Sequence, residues 1–116
     1  MKLYEYQSKL IFSQENIPIP QGKLASTPTD ARQIADEIGF PVVLKAQVLS
    51  GGRGKAGGIL LVRNSENVES EAAKILNMKI KELPVKNILV ERAISFRQEI
   101  YIGITLDRSI GKPVLI

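Results

Sequence analysis

Phe40-Pro41-Val42-Val43-Leu44-Lys45-Ala46 leads through Gln47-Val48-Leu49 into Ser50-Gly51-Gly52-Arg53-Gly54-Lys55-Ala56-Gly57-Gly58, and Ile59-Leu60-Leu61-Val62 follows. The first segment is short, β-branched and apolar on both faces, as a buried strand should be. The second holds five of the nine glycines of the chain. The third reads as another strand. The order is therefore strand, glycine loop, strand. A P-loop needs Gly-Lys-[Ser/Thr] and then a helix, and a dinucleotide-binding glycine turn also opens a helix. Here Lys55 precedes Ala56 and the loop feeds a strand. The stretch is a β-hairpin flap and belongs to neither of those folds.

Outward from the flap, helices and strands are punctuated clearly. Leu3 to Glu15 predicts a helix, with Leu3, Tyr6, Leu10, Ile11 and Phe12 on one broad face. Pro18 and Pro20 end it, since proline has no N–H and fixes φ. Gly22 to Ser26 is a short strand. A second helix starts at Thr27-Pro28 or Thr29, because a hydroxyl caps free N–H groups and proline suits the first turn. It buries Ala31, Ile34, Ala35 and Ile38, and Gly39 stops it. Asn64 or Ser65 caps a third helix that turns Val68, Ala72, Ile75 and Leu76 inward. Pro84 breaks the chain, and Lys86 to Arg92 is a strand. Glu99 to Leu106 alternates, with Ile100, Ile102 and Ile104 on one side. Asp107 to Gly111 is a turn, and Pro113 to Ile116 begins a last strand. The expected fold is α+β: an antiparallel-rich sheet of roughly five strands with about three helices. Residues 1–116 form a single domain. A chain that stops inside a strand is expected to be part of a longer protein.

Composition removes whole classes of chemistry. The 116 residues are 44% hydrophobic and 24% charged, as in an ordinary folded domain. There is no cysteine, hence no disulfide, zinc finger or thiol nucleophile. There is no histidine, hence no histidine-based triad within these residues. No apolar run is long enough for a membrane helix, and Met1 to Gln7 lacks a secretory core. A cytoplasmic protein is the default. The net charge of +4 suits an anionic partner, either a nucleotide or a nucleic acid. No Lys/Arg run and no interleaving of aromatic with basic residues supports a nucleic-acid module, which stays as the alternative of another class.

Three places carry chemistry. Glycine permits positive φ and close backbone approach, so the loop can fold its N–H groups around a phosphate, with Arg53 and Lys55 adding charge. A mobile hairpin tip kept soluble by two charges is the plainer alternative. Lys45 ends an apolar strand, where a lysine is costly to bury alone. It either snorkels to solvent or projects under the flap toward a phosphate. Glu91 ends the run Ile88-Leu89-Val90, and Glu99 lies eight residues on. Both can accept hydrogen bonds from ribose hydroxyls or an amino group, or they are ordinary surface glutamates.

Gly39-Phe40-Pro41-Val42-Val43-Leu44-Lys45 resembles the strand and lysine of ATP-grasp enzymes. Lys45-Ala46-Gln47-Val48 with Gly51-Gly52-Arg53-Gly54-Lys55-Ala56-Gly57-Gly58 resembles one branch closely, the succinyl-CoA synthetase (succinate–CoA ligase) β subunits. Leu3-Tyr4-Glu5-Tyr6-Gln7 and Ile88-Leu89-Val90-Glu91 resemble it as well. Malate–CoA ligase and ATP-citrate lyase share much of the pattern.

The resemblance implies the N-terminal lobe of an ATP-grasp domain. It implies a ligase that makes succinyl-CoA from succinate and CoA while cleaving ATP or GTP, reversibly. It implies Mg²⁺, and an α subunit that carries a phosphorylated histidine. By motif, Lys45 and Gly52, Arg53 and Gly54 fall on nucleotide-binding positions. Glu91 and Glu99 fall on the base and ribose side, and Ile94 on a further nucleotide contact made through backbone. No catalytic residue and no metal ligand falls within these residues. The metal ligands and the ligase domain belong to later sequence, so turnover is not expected from this segment alone. A cytoplasmic place is implied, or the mitochondrial matrix in a eukaryote, with no membrane and no nucleic acid as partner. The family often has His-Ala before the double glycine. Here Leu49-Ser50 stands there, so any role of that histidine is missing or moved.

Overall fold

Strand β2 (Val42–Ala46) is the axis of the computed structural model, which describes all of residues 1–116. It runs antiparallel to β3 (Ile59–Val62) on one side and to β6 (Ile88–Arg92) on the other. β6 in turn pairs antiparallel with β1 (Gly22–Ala25), giving the order β1-β6-β2-β3. Val42, Leu44 and Ala46 point to one face with Ile88 and Val90, and all five are fully buried. Against them pack α2 (Pro28–Ile38) through Ala31, Ile34, Ala35 and Ile38, and α3 (Val68–Leu76) through Val68, Ala72 and Ile75. Both helices cover one face only. Val43, Lys45, Ile59, Leu61, Leu89 and Glu91 look out from the other.

The helix boundaries have the local causes the sequence suggested. Thr27 Oγ1 accepts from the Asp30 N–H at 3.1 Å, Pro28 opens α2, and Gly39 closes it at φ 85°. Asn64 Oδ1 accepts from the Asn67 N–H at 3.3 Å. The chain there makes a 3₁₀ turn, Ser65–Asn67, before α3 begins. Helix α1 (Glu5–Gln14) starts where the Gln7 side chain accepts from the Tyr4 N–H at 2.9 Å.

Several expectations are corrected. The main sheet has four strands, and the rest form two separate hairpins. One joins β4 (Lys79–Ile80) to β5 (Leu83–Pro84) through Lys81 and Glu82, both at positive φ, 48° and 66°. Pro84 thus sits in a short edge strand and does not simply break the chain. The other joins β7 (Ile104–Asp107) to β8 (Lys112–Leu115). The alternating stretch from Glu99 is irregular until Ile104. Ile100, Tyr101 and Ile102 are more than two-thirds exposed, and alternation without a partner strand or a covering layer does not fix a strand. The apolar side of α1 is likewise uncovered: Leu10, Ile11 and Phe12 are exposed. The helix is held by polar contacts, among them the Tyr6 N–H on Gln47 Oε1 at 3.2 Å.

Candidate nucleotide site

The glycine loop leaves β2 after Ala46 and returns as β3. It folds on itself, with the Ala56 N–H on the Gly52 carbonyl at 3.1 Å and the Gly58 N–H on Arg53 at 2.8 Å. The Ala46 N–H then closes the hairpin on Gly58 at 2.7 Å. Gly52 and Gly57 have φ of 81° and 80°, where a side chain would be strained. A side chain on Gly58 would crowd its neighbours. A Cβ there would lie 2.7 Å from Ile80 Cδ1 and 3.1 Å from the Ala46 Cβ. The N–H groups of residues 51 to 55 donate to no backbone carbonyl of the chain. A run of free backbone donors with two basic side chains is suited to an anion.

Beside the loop, five charged groups from four elements meet. Lys45 Nζ donates to Glu91 Oε1 at 2.7 Å and to Glu5 Oε1 at 3.1 Å. The other Glu5 oxygen accepts from Arg53 Nη1 at 2.7 Å, and Arg53 Nη1 also donates to the Ala46 carbonyl at 2.9 Å. Lys9 Nζ bonds the second oxygen of Glu91 and lies 3.2 Å from Glu5. The Glu91 side chain is 4% exposed, those of Lys45 and Glu5 20% each. Three cations against two carboxylates leave one positive charge uncompensated. Burial alone would push the Glu5 carboxyl up, but the Arg53 and Lys45 hydrogen bonds and charges outweigh it and hold it at about 2. Burial lowers the Lys45 ammonium, and Glu91 and Glu5 together more than reverse this, so its pKa is raised. Lys45 is charged throughout the physiological range and is anchored; it does not wander to solvent.

Two clefts flank this cluster and share Ile59. The first, about 860 Å³, is lined by Glu5, Gly51, Gly52, Arg53, Gly54 and Lys55 among others. The second, about 650 Å³, lies on the open sheet face and is lined by Lys45, Val43, Leu61, Glu91, Ile94, Phe96 and Glu99 among others. The structure therefore puts Gly52, Arg53 and Gly54 on one cleft and Lys45, Glu91, Ile94 and Glu99 on the other. Lys45 and Arg53 meet at the junction through Glu5. Glu91 lies on β6 and is engaged by two lysines, while Glu99 is exposed. Sequence reasoning missed Glu5 and Lys9. Their i,i+4 spacing marks a helix-surface pair, but nothing local shows that the pair reaches β2, β6 and the loop.

As for a metal, both carboxylates at the junction are taken by cations, and no group of three or more acidic or other metal-binding side chains is gathered anywhere in the chain. These residues do not by themselves fit a Mg²⁺ ion. No helix is long and apolar enough to cross a membrane.

The geometry has counterparts. The ATP-grasp domain family model matches residues 2–116. The succinate–CoA ligase [ADP-forming] subunit beta of Natronomonas pharaonis is 53% identical over 114 residues, 98% of this chain and 30% of its own length. The succinate–CoA ligase [GDP-forming] subunit beta of Thermus thermophilus is 47% identical, over 99% of this chain and 30% of its own length. The chain thus spans about a third of the curated relatives it matches. Among solved structures, the dinucleotide forming acetyl-coenzyme A synthetase 1 of Ca. Korarchaeum cryptofilum, in complex with coenzyme A and Ca-AMPCP, superposes with a TM-score of 0.84 at 28% identity. That match covers 98% of this chain and 52% of the other. The family model spans nearly every residue and the superposition covers almost the whole chain, and the chain belongs to the ATP-grasp domain family.

Proposed function

We propose that this chain is the N-terminal, nucleotide-binding lobe of an NDP-forming succinate–CoA ligase β subunit. The whole protein joins succinate to CoA at the expense of ATP or GTP, reversibly, in the cytoplasm or a mitochondrial matrix. One observation carries the reading. Lys45 and Arg53, from a buried strand and from the loop above it, converge beside a row of free backbone N–H groups.

In phosphoryl transfer, positioning and charge neutralisation supply most of the catalysis. Lys45 and Arg53 neutralise phosphate oxygens, and the Gly52 and Gly54 backbone wraps them. Glu91 and Glu99 face the ribose and base along the second cleft, and Ile94 contacts the nucleotide through its backbone. Mg²⁺ would enter with the nucleotide and offset phosphate charge, and residues of the whole protein other than 1–116 would have to hold it. The α subunit with its phosphorylated histidine, succinate and CoA complete the reaction elsewhere in the assembly.

The test is calorimetric titration of the full-length protein with Mg-ATP, Mg-GTP and a labelled oligonucleotide, each over a salt series. Saturable binding of a Mg-nucleotide supports the reading. Oligonucleotide binding alone, with the steep salt dependence of backbone contacts, refutes it and favours the nucleic-acid alternative. Turnover with malate in place of succinate would move the protein to the neighbouring acyl-CoA ligases.

A further inference from the structure

Glu5 and Lys9 are the members of the cluster that the nucleotide reading does not use, and of the two only Glu5 bonds both Lys45 and Arg53. Glu5 is the first residue of α1, which two side-chain amides fix: Gln7 on the Tyr4 N–H at 2.9 Å and Gln47 on the Tyr6 N–H at 3.2 Å. Its carboxylate is divided, one oxygen on Lys45 Nζ and the other on Arg53 Nη1. Each cation keeps donors in reserve. Arg53 spends only Nη1, on Glu5 and Ala46, which leaves Nε and Nη2. Lys45 spends two of its ammonium donors, on Glu5 and Glu91, which leaves a third.

We propose that Glu5 is a positioning residue: it ties the glycine loop to strand β2, so that Lys45 and Arg53 present their remaining donors to one phosphate chain together. The inference rests on the nucleotide reading above and deepens it. Its physical content is preorganisation. An arginine on a glycine-rich loop loses freedom when it binds an anion, and a tether that has already ordered it lowers that cost. Glu5 suits the task because it stays ionised, and because its helix belongs neither to the strand nor to the loop that it joins. The opposite role is a carboxylate that occupies the phosphate position and must be displaced. Removing it would then tighten nucleotide binding, so the two roles differ in sign.

The experiment uses the full-length protein, with Mg-ADP and adenosine as calorimetric probes. The variants are Glu5→Ala, Glu5→Gln, Glu5→Asp, Arg53→Ala and the Glu5→Ala/Arg53→Ala pair. Glu5→Ala and Glu5→Gln should each weaken Mg-ADP about tenfold while leaving adenosine within about twofold. Glu5→Asp should recover most of the loss. In the Arg53→Ala background, Glu5→Ala should cost less than about twofold, because the tether has nothing left to hold. Glu5→Gln keeps the size of the side chain, so the result does not depend on whether Glu5→Ala folds. Tighter or unchanged Mg-ADP binding overturns the proposal. So does an equal loss for adenosine, or a Glu5 effect that is fully additive with Arg53. A wild-type protein that binds no Mg-ADP refutes the nucleotide reading itself, and the tether falls with it.

Discussion

Replacing Lys45 by alanine should weaken Mg-nucleotide binding about a hundredfold. The estimate starts from the lysine's surroundings. Its side chain is 20% exposed, and its ammonium is held by Glu91 at 2.7 Å and Glu5 at 3.1 Å. A hydrogen bond to a charged partner in such a setting is worth about 1.5–3 kcal/mol net. At the upper end that is about two decades in affinity, at roughly 1.4 kcal/mol per decade. Arg53→Ala should cost less, about tenfold, because part of its interaction is spent on ordering the loop. Lys55→Ala reports generic charge in the same loop. Lys79→Ala, at the exposed position of β4, should stay within about twofold. Lys81 is unsuited as a second surface reference, although it too is exposed. Its Cε and Nζ lie 3.8 and 3.9 Å from where a Cβ on Gly52 would be, against the glycine loop itself. Removing Lys45 also leaves the buried Glu91 carboxylate with Lys9 alone, the loss of one charged hydrogen bond and about 2 kcal/mol of stability. The pair Lys45→Ala/Glu91→Gln therefore belongs beside the single variant, with urea midpoints measured for both. If Lys45→Ala binds Mg-nucleotide as well as Lys79→Ala does, the phosphate reading of Lys45 is wrong and its partners are only structural.

Other consequences are open to direct measurement. Gly58→Ala should destabilise the fold by about 1–3 kcal/mol in urea titrations, since its Cβ would meet Ile80, Ala46 and the Arg53 carbonyl. Gly51→Ala in the same loop meets nothing within 4 Å and should be close to neutral; equal effects would contradict the packing. In amide exchange without nucleotide, residues 51 to 55 should exchange fast while the bonded Ala46 and Gly58 amides are protected, and Mg-nucleotide should slow the loop. Uniform protection across the hairpin would count against a loop awaiting a ligand. Glu5 gives a pH signature. Its carboxyl sits at about 2 in the fold against an ordinary 4.5, so its stabilisation is complete above about 4.5 and is lost as pH falls toward 2. With part of the side chain in water, on the order of 2 kcal/mol is at stake. Glu5→Gln should flatten stability between pH 5 and pH 2 by about that amount, and an unchanged slope would show the tether to be weak.

The parts legible in the sequence are those with local causes. Thr27, Pro28 and Gly39 bracket α2 because capping hydroxyl, fixed φ and a positive-φ stop each act within a turn of where they stand. The flap was legible because its glycines and its two flanking apolar runs are contiguous. What failed had a shared cause. Periodicity reports which side of an element is apolar, not whether anything covers that side. Leu10, Ile11 and Phe12 make a helical stripe, and Ile100 and Ile102 alternate, yet all are exposed within residues 1–116. One of these segments is still a helix, because its backbone bonds are internal. The other is not a strand, because a strand's bonds must come from a neighbour. The same distinction separates the cluster members that stand out in the sequence from those that do not. Lys45 and Glu91 are odd against their own neighbours, a lysine and a glutamate each ending an apolar run. Glu5 and Lys9 are ordinary on their helix and acquire meaning only from partners 40, 48 and 82 positions away. A charge that breaks a local pattern announces itself. One that completes a long-range network does not, and the Glu5 carboxylate joining Lys45 to Arg53 is of that second kind.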